Sequence, residues 1–400
     1  MTEAAGLGSA TTRFSGGARV VYISMIATAL GVLPVYLTSG MAVFVRAELD
    51  FSPAALGLAV SSFFGASALA SVPAGRLVEQ RGTRTTLVAS AWLAAISLGG
   101  IAAAQSWWQL VVAMLFGGVS NAMTPPATNR FLASRIRVRR QGVAFALKQA
   151  SFPLATFGAG LAVPLIGLTL GWRWAFALTS AAALVYGVYF LSRISVDQPP
   201  PTTATGGKRR RVRPDQPLWI LVVLAFGASC ATAAGSALTS FYVESAVDGG
   251  LSPGPAGLGL SAGSLFGVAT RLWFGRLVDR RGLLRFRHVA VLFLVGGIGM
   301  LGFTGPSTTT WLLLATTAVA FGAGWGWHGL FHLAIVKASP SAPAAATGVI
   351  MVGMFLGGIY GPTSFGLLAQ ELSFAAAWTA LAISMTVGAT VLTLVDRRIA

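Results

Sequence analysis

Most of this 400-residue chain falls into twelve stretches of about 20 mostly apolar residues, separated by polar gaps. A helix crosses the roughly 30 Å hydrocarbon core of a bilayer in about 20 residues and satisfies its backbone hydrogen bonds internally. The pattern therefore predicts an all-α polytopic membrane protein. Its spans are expected at 20–44, 53–75, 84–104, 107–129, 142–168, 173–192, 218–242, 253–276, 287–305, 310–336, 345–369 and 373–395. Charged residues make up 10% of the chain, against about 25% in soluble domains. That is too few to clothe a water-facing surface.

The net charge of +17 does not indicate a nucleic-acid partner, because the basic residues occupy alternate gaps instead of forming a stripe. Arg76, Arg81 and Arg84 lie between spans 2 and 3, and Arg130, Arg135, Arg137, Arg139 and Arg140 between spans 4 and 5. Lys208–Arg211 and Arg213 lie between spans 6 and 7, and Arg276, Arg280, Arg281, Arg285 and Arg287 between spans 8 and 9. Lys337 follows span 10 and Arg397 and Arg398 follow span 12, whereas the opposite-side gaps hold only Arg46 and Arg173 among basic residues, beside Glu48, Asp50, Glu244, Asp248 and Glu371. Loops rich in Lys and Arg stay in the cytoplasm, so both termini are expected there. Residues 1–18 read as a flexible tail without a cleavable signal, and 397–400 as a short tail. The Pro-, Thr- and Gly-rich, then basic stretch 195–217 reads as a linker between six-helix halves at 19–194 and 218–396. Its basic run is suited to anionic lipid headgroups. The single cysteine, Cys230, reads as a core thiol and cannot form a disulfide within the chain.

The halves repeat one another. Gly75-Arg76-Leu77-Val78-Glu79-Gln80-Arg81-Gly82 follows span 2, and Gly275-Arg276-Leu277-Val278-Asp279-Arg280-Arg281-Gly282 follows span 8, offset by 200 residues. Phe116-Gly117 likewise matches Phe321-Gly322, and Gly142-Val143 matches Gly348-Val349. The two octads, with Gly171-Trp172-Arg173-Trp174-Ala175-Phe176 opening span 6, resemble motifs of the major facilitator superfamily of secondary carriers. The first octad departs from the usual pattern at Glu79 and Gln80. The resemblance implies two six-helix bundles that rock about a central substrate cavity. It also implies a conformational latch built from Gly75, Glu79, Arg81, Arg84, Gly275, Asp279, Arg280 and Gly282. Gly75 and Gly275 would allow close helix approach, and the acids would pair with arginines and cap neighbouring helices.

Substrate contacts are sought where the repeat fails. Arg271 stands at the place of Ser71, Lys148 near that of Met354, and His328 and His332 near those of Met123 and Ala127. Ionisable groups at membrane depth mark function by default, and none of these spans carries an acid at its middle. Basic groups without acids suit an anionic substrate, because Arg grips a carboxylate with a two-pronged fork. Arg271 also lies close enough to Gly275 to reach the cytoplasmic interface or join the latch. His328 reads equally as a bonded core imidazole or a proton-handling group. Span 4 carries Asn121 among Ser120, Thr124 and Thr128, around Pro125-Pro126, a pair expected to break the helix beside a wet cavity. Span 4 has Met114 where many proton-coupled relatives carry arginine, and span 1 lacks the acid common in drug antiporters.

The expected activity is carriage of a small organic anion by alternating access. Export of drugs or metabolites is the alternative, with a membrane enzyme or receptor further behind. No nucleophile, metal cluster or acidic pair suggests an enzyme. The expectation includes no cofactor or metal beyond a coupling proton, no nucleic-acid partner, a monomer, and a plasma or inner membrane location.

Overall fold

A computed structural model describes residues 8–193, 215–281, 285–305, 310–341 and 343–399. Among these residues the chain is helical, with no strand. Span 1 is Gly8–Gly40, followed past Met41 by a separate short helix, Ala42–Leu49. Spans 2 and 3 lie in Pro53–Ala103, divided at Gly82. That residue has φ 79°, a conformation glycine adopts without a Cβ penalty. Ser52 caps span 2 by accepting from the Ala55 N–H at 3.2 Å, with Pro53 in the first turn. Span 4 is Trp107–Arg135 and span 6 is Trp172–Arg193. Span 5 comprises Val138–Gln149, Ser151–Ala162 and a wide turn, Val163–Gly167.

In the second half, span 7 is Leu218–Asp248 and span 8 is Pro253–Arg281. Span 9 is Phe286–Leu301 with a tighter last turn, Gly302–Thr304. Span 10 is interrupted, as Thr310–Gly324 and then His328–Ala338. Spans 11 and 12 are Pro343–Glu371 and Phe374–Ile399. Nine helical stretches among the described residues are long and apolar enough to cross a membrane. One of them holds both spans 2 and 3, and spans 6 and 8 complete the twelve. Glycines and arginines dilute the hydropathy of span 8.

Three local expectations are corrected. Span 1 ends at Gly40, not at residue 44. Pro125 and Pro126 do not break span 4, which runs through them. Thr124 and Thr128 hydroxyls donate back to Ser120 O and Thr124 O, at 2.9 and 2.8 Å, and hold the turns flanking the prolines. Span 7 extends past 242, so Glu244 is a buried helical residue and not a loop acid.

Lipid tails are as apolar as the side chains they replace, so close packing holds the bundle together. Glycine supplies that closeness. A Cβ on Gly118 would strike Phe63 O of span 2, and one on Gly361 would strike Ala233 of span 7. The halves meet through spans 2 and 11, spans 5 and 8, and spans 1 and 7.

Candidate functional site

The contact between halves is concentrated at the membrane face away from the basic gaps. Spans 2 and 8 make it with equivalent residues. Gly57 of span 2 lies against Pro362 O and the Thr363 Cα of span 11, and Gly257 of span 8 against Gly160 O and Val163 of span 5. Ser61 bonds to Ile359 O and to Thr363 Oγ1, and Ser261 donates to Phe157 O at 2.9 Å. Ser52-Pro53, Gly57-Leu58 and Ser61 recur as Ser252-Pro253, Gly257-Leu258 and Ser261, at the same offset of 200 as the octads. This second repeat signal is legible in the sequence. At the same face Arg46 pairs with Glu244, joining the short helix after span 1 to span 7.

At the basic face the octad glycines make no such contact. A Cβ on Gly75 or Gly275 would meet nothing within 4 Å, so neither glycine supports a close helix approach in this conformation. Glu79 and Arg81 are exposed, Arg84 is half-buried, and Arg130 donates to Val78 O at 2.6 Å. The side chains of Asp279 and Arg280, and Gly282 altogether, lie outside the described residues. So does most of the expected linker.

Between the two faces, at the junction of the halves, the structure brings together residues from spans 1, 8 and 10. The interruption of span 10 builds the centre of this cluster. A Cβ on Gly326 would collide with Gly322 O, so only glycine fits the turn at 325–327. The turn frees the Trp325 carbonyl, which accepts from Arg271 Nη2 at 2.9 Å. The guanidinium also lies over the Trp325 ring, 5.0 Å from its centroid, a cation–π arrangement. Its Nε is buried without a hydrogen-bond partner. No carboxylate pairs with Arg271 among the described residues. Tyr36 of span 1 meets the Trp325 ring edge-on at 6.2 Å and lies near enough to Arg271 to interact with it electrostatically.

His328 Nδ1 lies 3.0 Å from Trp325 O, and its ring stacks on Trp327 with centroids 4.0 Å apart. A carbonyl partner requires the proton on Nδ1, which leaves Nε2 as an acceptor. His332 Nδ1 makes the same kind of bond to His328 O at 2.8 Å. Lys148 has a different setting, inside the first half. It is 3% exposed and donates to Asn129 Oδ1 of span 4 at 2.8 Å. Asn121 donates to Ser67 Oγ of span 2 at 3.1 Å, and Ser120 donates to Ser90 O of span 3 at 2.7 Å. The polar stripe of span 4 is therefore spent largely on packing within the half.

Tyr36 and the Trp325 carbonyl were missed in the sequence. A backbone carbonyl has no side-chain signature, although the alternating Gly322, Gly324 and Gly326 signalled an irregular turn. No group of three or more metal-binding side chains occurs among the described residues. Outside the membrane, hydrogen bonds from Trp172 Nε1 at 2.6 Å and from Arg173 hold the Glu48 carboxyl below the usual carboxylate range. This ties the short helix after span 1 to span 6.

Two six-helix halves joined at one face, with a basic and aromatic cluster between them, define a membrane carrier of the two-bundle type. The chain belongs to the Major Facilitator Superfamily, whose family model matches residues 24–362. It is 29% identical over 258 residues to an "MFS-type efflux pump" of Mycolicibacterium smegmatis, covering 61% of this chain and 58% of that protein. It is 25% identical over 390 residues to a "Putative tartrate transporter" of Agrobacterium vitis, covering 88% and 87%. Among solved structures, an inward-facing bacterial homologue of the human lysosomal transporter Spinster matches with TM-score 0.72 at 15% identity, over 96% of both chains. A variant of the nucleoside transporter NupG matches with TM-score 0.72 at 14% identity, over 93% of this chain and 99% of that one. At such identities these likenesses concern the fold.

Proposed function

We propose that this transporter carries a small organic anion, with Arg271 as the group that meets its negative charge. One observation carries the reading. Arg271 is a guanidinium at the junction of the halves, held by a carbonyl, with no carboxylate partner among the described residues and one N–H without any acceptor. A buried charge is costly to leave without a counter-charge, and a substrate carboxylate supplies one. Trp325 and Tyr36 offer apolar and hydroxyl surface beside it. Lys148, His328, His332 and Asn121 are secondary candidates, and the Agrobacterium relative is named for tartrate, an anion. Alternating access would bring the two octads together as the latch when the open face closes. The alternation of charged gaps supports a basic face in the cytoplasm, and the bacterial relatives support a cell-membrane location.

A thermal-shift screen of the purified protein against carboxylates, cations and neutral compounds tests this. A ligand at 100 times its Kd stabilises by about 2.7 kcal/mol. A carboxylate is expected to raise the melting temperature of the parent and not of a folded Arg271→Gln variant. The aromatic lining and the efflux-pump relative favour a second reading, export of an apolar compound. Stabilisation by neutral compounds alone, unchanged in Arg271→Gln, would put that reading first.

A further inference from the structure

Each half is clasped at its basic end by an arginine lying over an aromatic ring, and each clasp joins the first span of the half to its last. In the second half the Arg398 guanidinium of span 12 lies 5.5 Å from the centroid of the Trp219 ring of span 7. In the first half the Arg19 guanidinium of span 1 lies 5.7 Å from the centroid of the Tyr189 ring of span 6 and donates to its hydroxyl at 2.6 Å. Arg19 and Trp219 stand at the same offset of 200 that relates the halves. The place is the same, but cation and ring have changed sides. What recurs is the pairing and not either side chain, which points to a requirement for that chemistry at that depth.

Arg19, Arg397, Arg398 and both rings are exposed. No carboxylate pairs with the three arginines among the described residues. Asp396, beside them in the chain, is buried and held by Arg285 at 3.2 Å. Asp215, just before span 7, accepts from the Ser341 N–H at 2.8 Å. Beneath the Trp219 ring, span 7 exposes Leu218, Val222 and Phe226 at intervals of four residues, and span 12 exposes Leu394. Residues four apart share one helix face. The two helices are packed tightly behind that face, where a Cβ on Gly227 would strike Leu392.

We propose that each clasp is a binding site for an anionic phospholipid of the leaflet at the basic face. The headgroup phosphate lies on the guanidinium, and the acyl chains run along the apolar face beneath. A guanidinium laid over a ring keeps N–H groups at its edge, and these meet phosphate oxygens as a fork. Arg397 adds a second charge to the site on the second half. Indole and phenol rings are favoured at the level of the headgroups, so the ring sets the depth at which the phosphate is held. The apolar face selects a lipid over a free phosphate ion, which has no use for Leu218, Val222 and Phe226. The bound lipid fastens first span to last, so that each half moves as one body.

Native mass spectrometry from detergent micelles reads these sites without a known substrate. The probes are phosphatidylglycerol and phosphatidylcholine with identical acyl chains, offered together. The parent is expected to retain phosphatidylglycerol in preference. Arg19→Gln with Arg398→Gln is expected to lower that retention roughly tenfold, because each basic residue near a membrane surface strengthens anionic-lipid binding several-fold. Arg137→Gln with Lys337→Gln removes the same charge from exposed positions of the same face and is expected to match the parent. Melting curves confirm folding. If the first variant does not fold, Arg19→Lys with Arg398→Lys keeps the charge and loses the fork, and a lower retention than the parent's is again expected. Equal retention of the two lipids by the parent would overturn the proposal, as would undiminished retention in the folded variant. An equal loss in the Arg137 and Lys337 variant would overturn it too, since the attraction would then belong to the basic face as a whole. So would full displacement of the lipid by inorganic phosphate, which would make the clasps sites for soluble anions.

Discussion

Lys148 is a buried basic group and Arg271 a half-buried one, and their partners separate their roles. Lys148 has the Asn129 amide on its own half, whereas Arg271 is held by a backbone carbonyl at the junction. Arg271→Lys keeps the charge and loses the fork. Hydrogen bonds to charged groups contribute about 1.5–3 kcal/mol, so this change is expected to weaken carboxylate binding roughly 10- to 100-fold in a calorimetric titration. Glu48 gives a pH prediction. Its folded pKa is depressed by Trp172 and Arg173, so its stabilisation is present above the unfolded value of about 4.3. It is lost as pH falls through the folded value. The carboxylate is half-exposed, so the stabilisation is about 1 kcal/mol or less. Melting curves of the parent and Glu48→Gln should differ near neutral pH and converge in acid. Arg271 and the histidines were legible in the sequence because they break the repeat. The Arg46–Glu244 pair was not, since docking of the halves decides which of several acids meets which arginine.

At the scale of elements, the interruption of span 10 positions the cluster. Gly326→Ala would force the new Cβ into the Gly322 carbonyl. Overpacking of this kind costs about 1–3 kcal/mol, so a lower melting temperature and loss of ligand stabilisation are expected together. Gly329→Ala, which meets nothing within 4 Å, is the control and should be neutral to about 1 kcal/mol stabilising. The spans themselves were legible, because twenty apolar residues have few other uses. Their irregularities were less so. The double proline of span 4 looked disruptive but the helix runs through it, whereas the glycine-rich stretch of span 10 breaks its helix. Proline removes a donor whose loss nearby groups can offset, while successive glycines relax the backbone itself.

Across the whole molecule, the described contacts between the halves cluster at one face and the octad glycines of the other meet nothing within 4 Å, and thiol chemistry can read the difference. In a Cys230→Ser background, Gly75→Cys and Gly275→Cys are expected to react with a polar thiol reagent roughly tenfold or more faster than Ser61→Cys and Ser261→Cys, whose reaction waits on opening. Equal rates would mean that the closed face is not the resting state. The twofold organisation was legible from the octads, but which face closes was not, because one sequence must serve both arrangements. The closed face has a consequence for how such a chain can change over time. Its seam is backbone against backbone at Gly57 and Gly257, and a peptide plane has no alternative rotamer with which to yield. An added methyl group at one seam cannot be absorbed by a neighbour. It must tilt a whole bundle, and the opposite seam of the pair tilts with it. New substrates are therefore most readily acquired through residues nearer the open mouth, while the two seams form a fixed fulcrum around which such variation is tolerated.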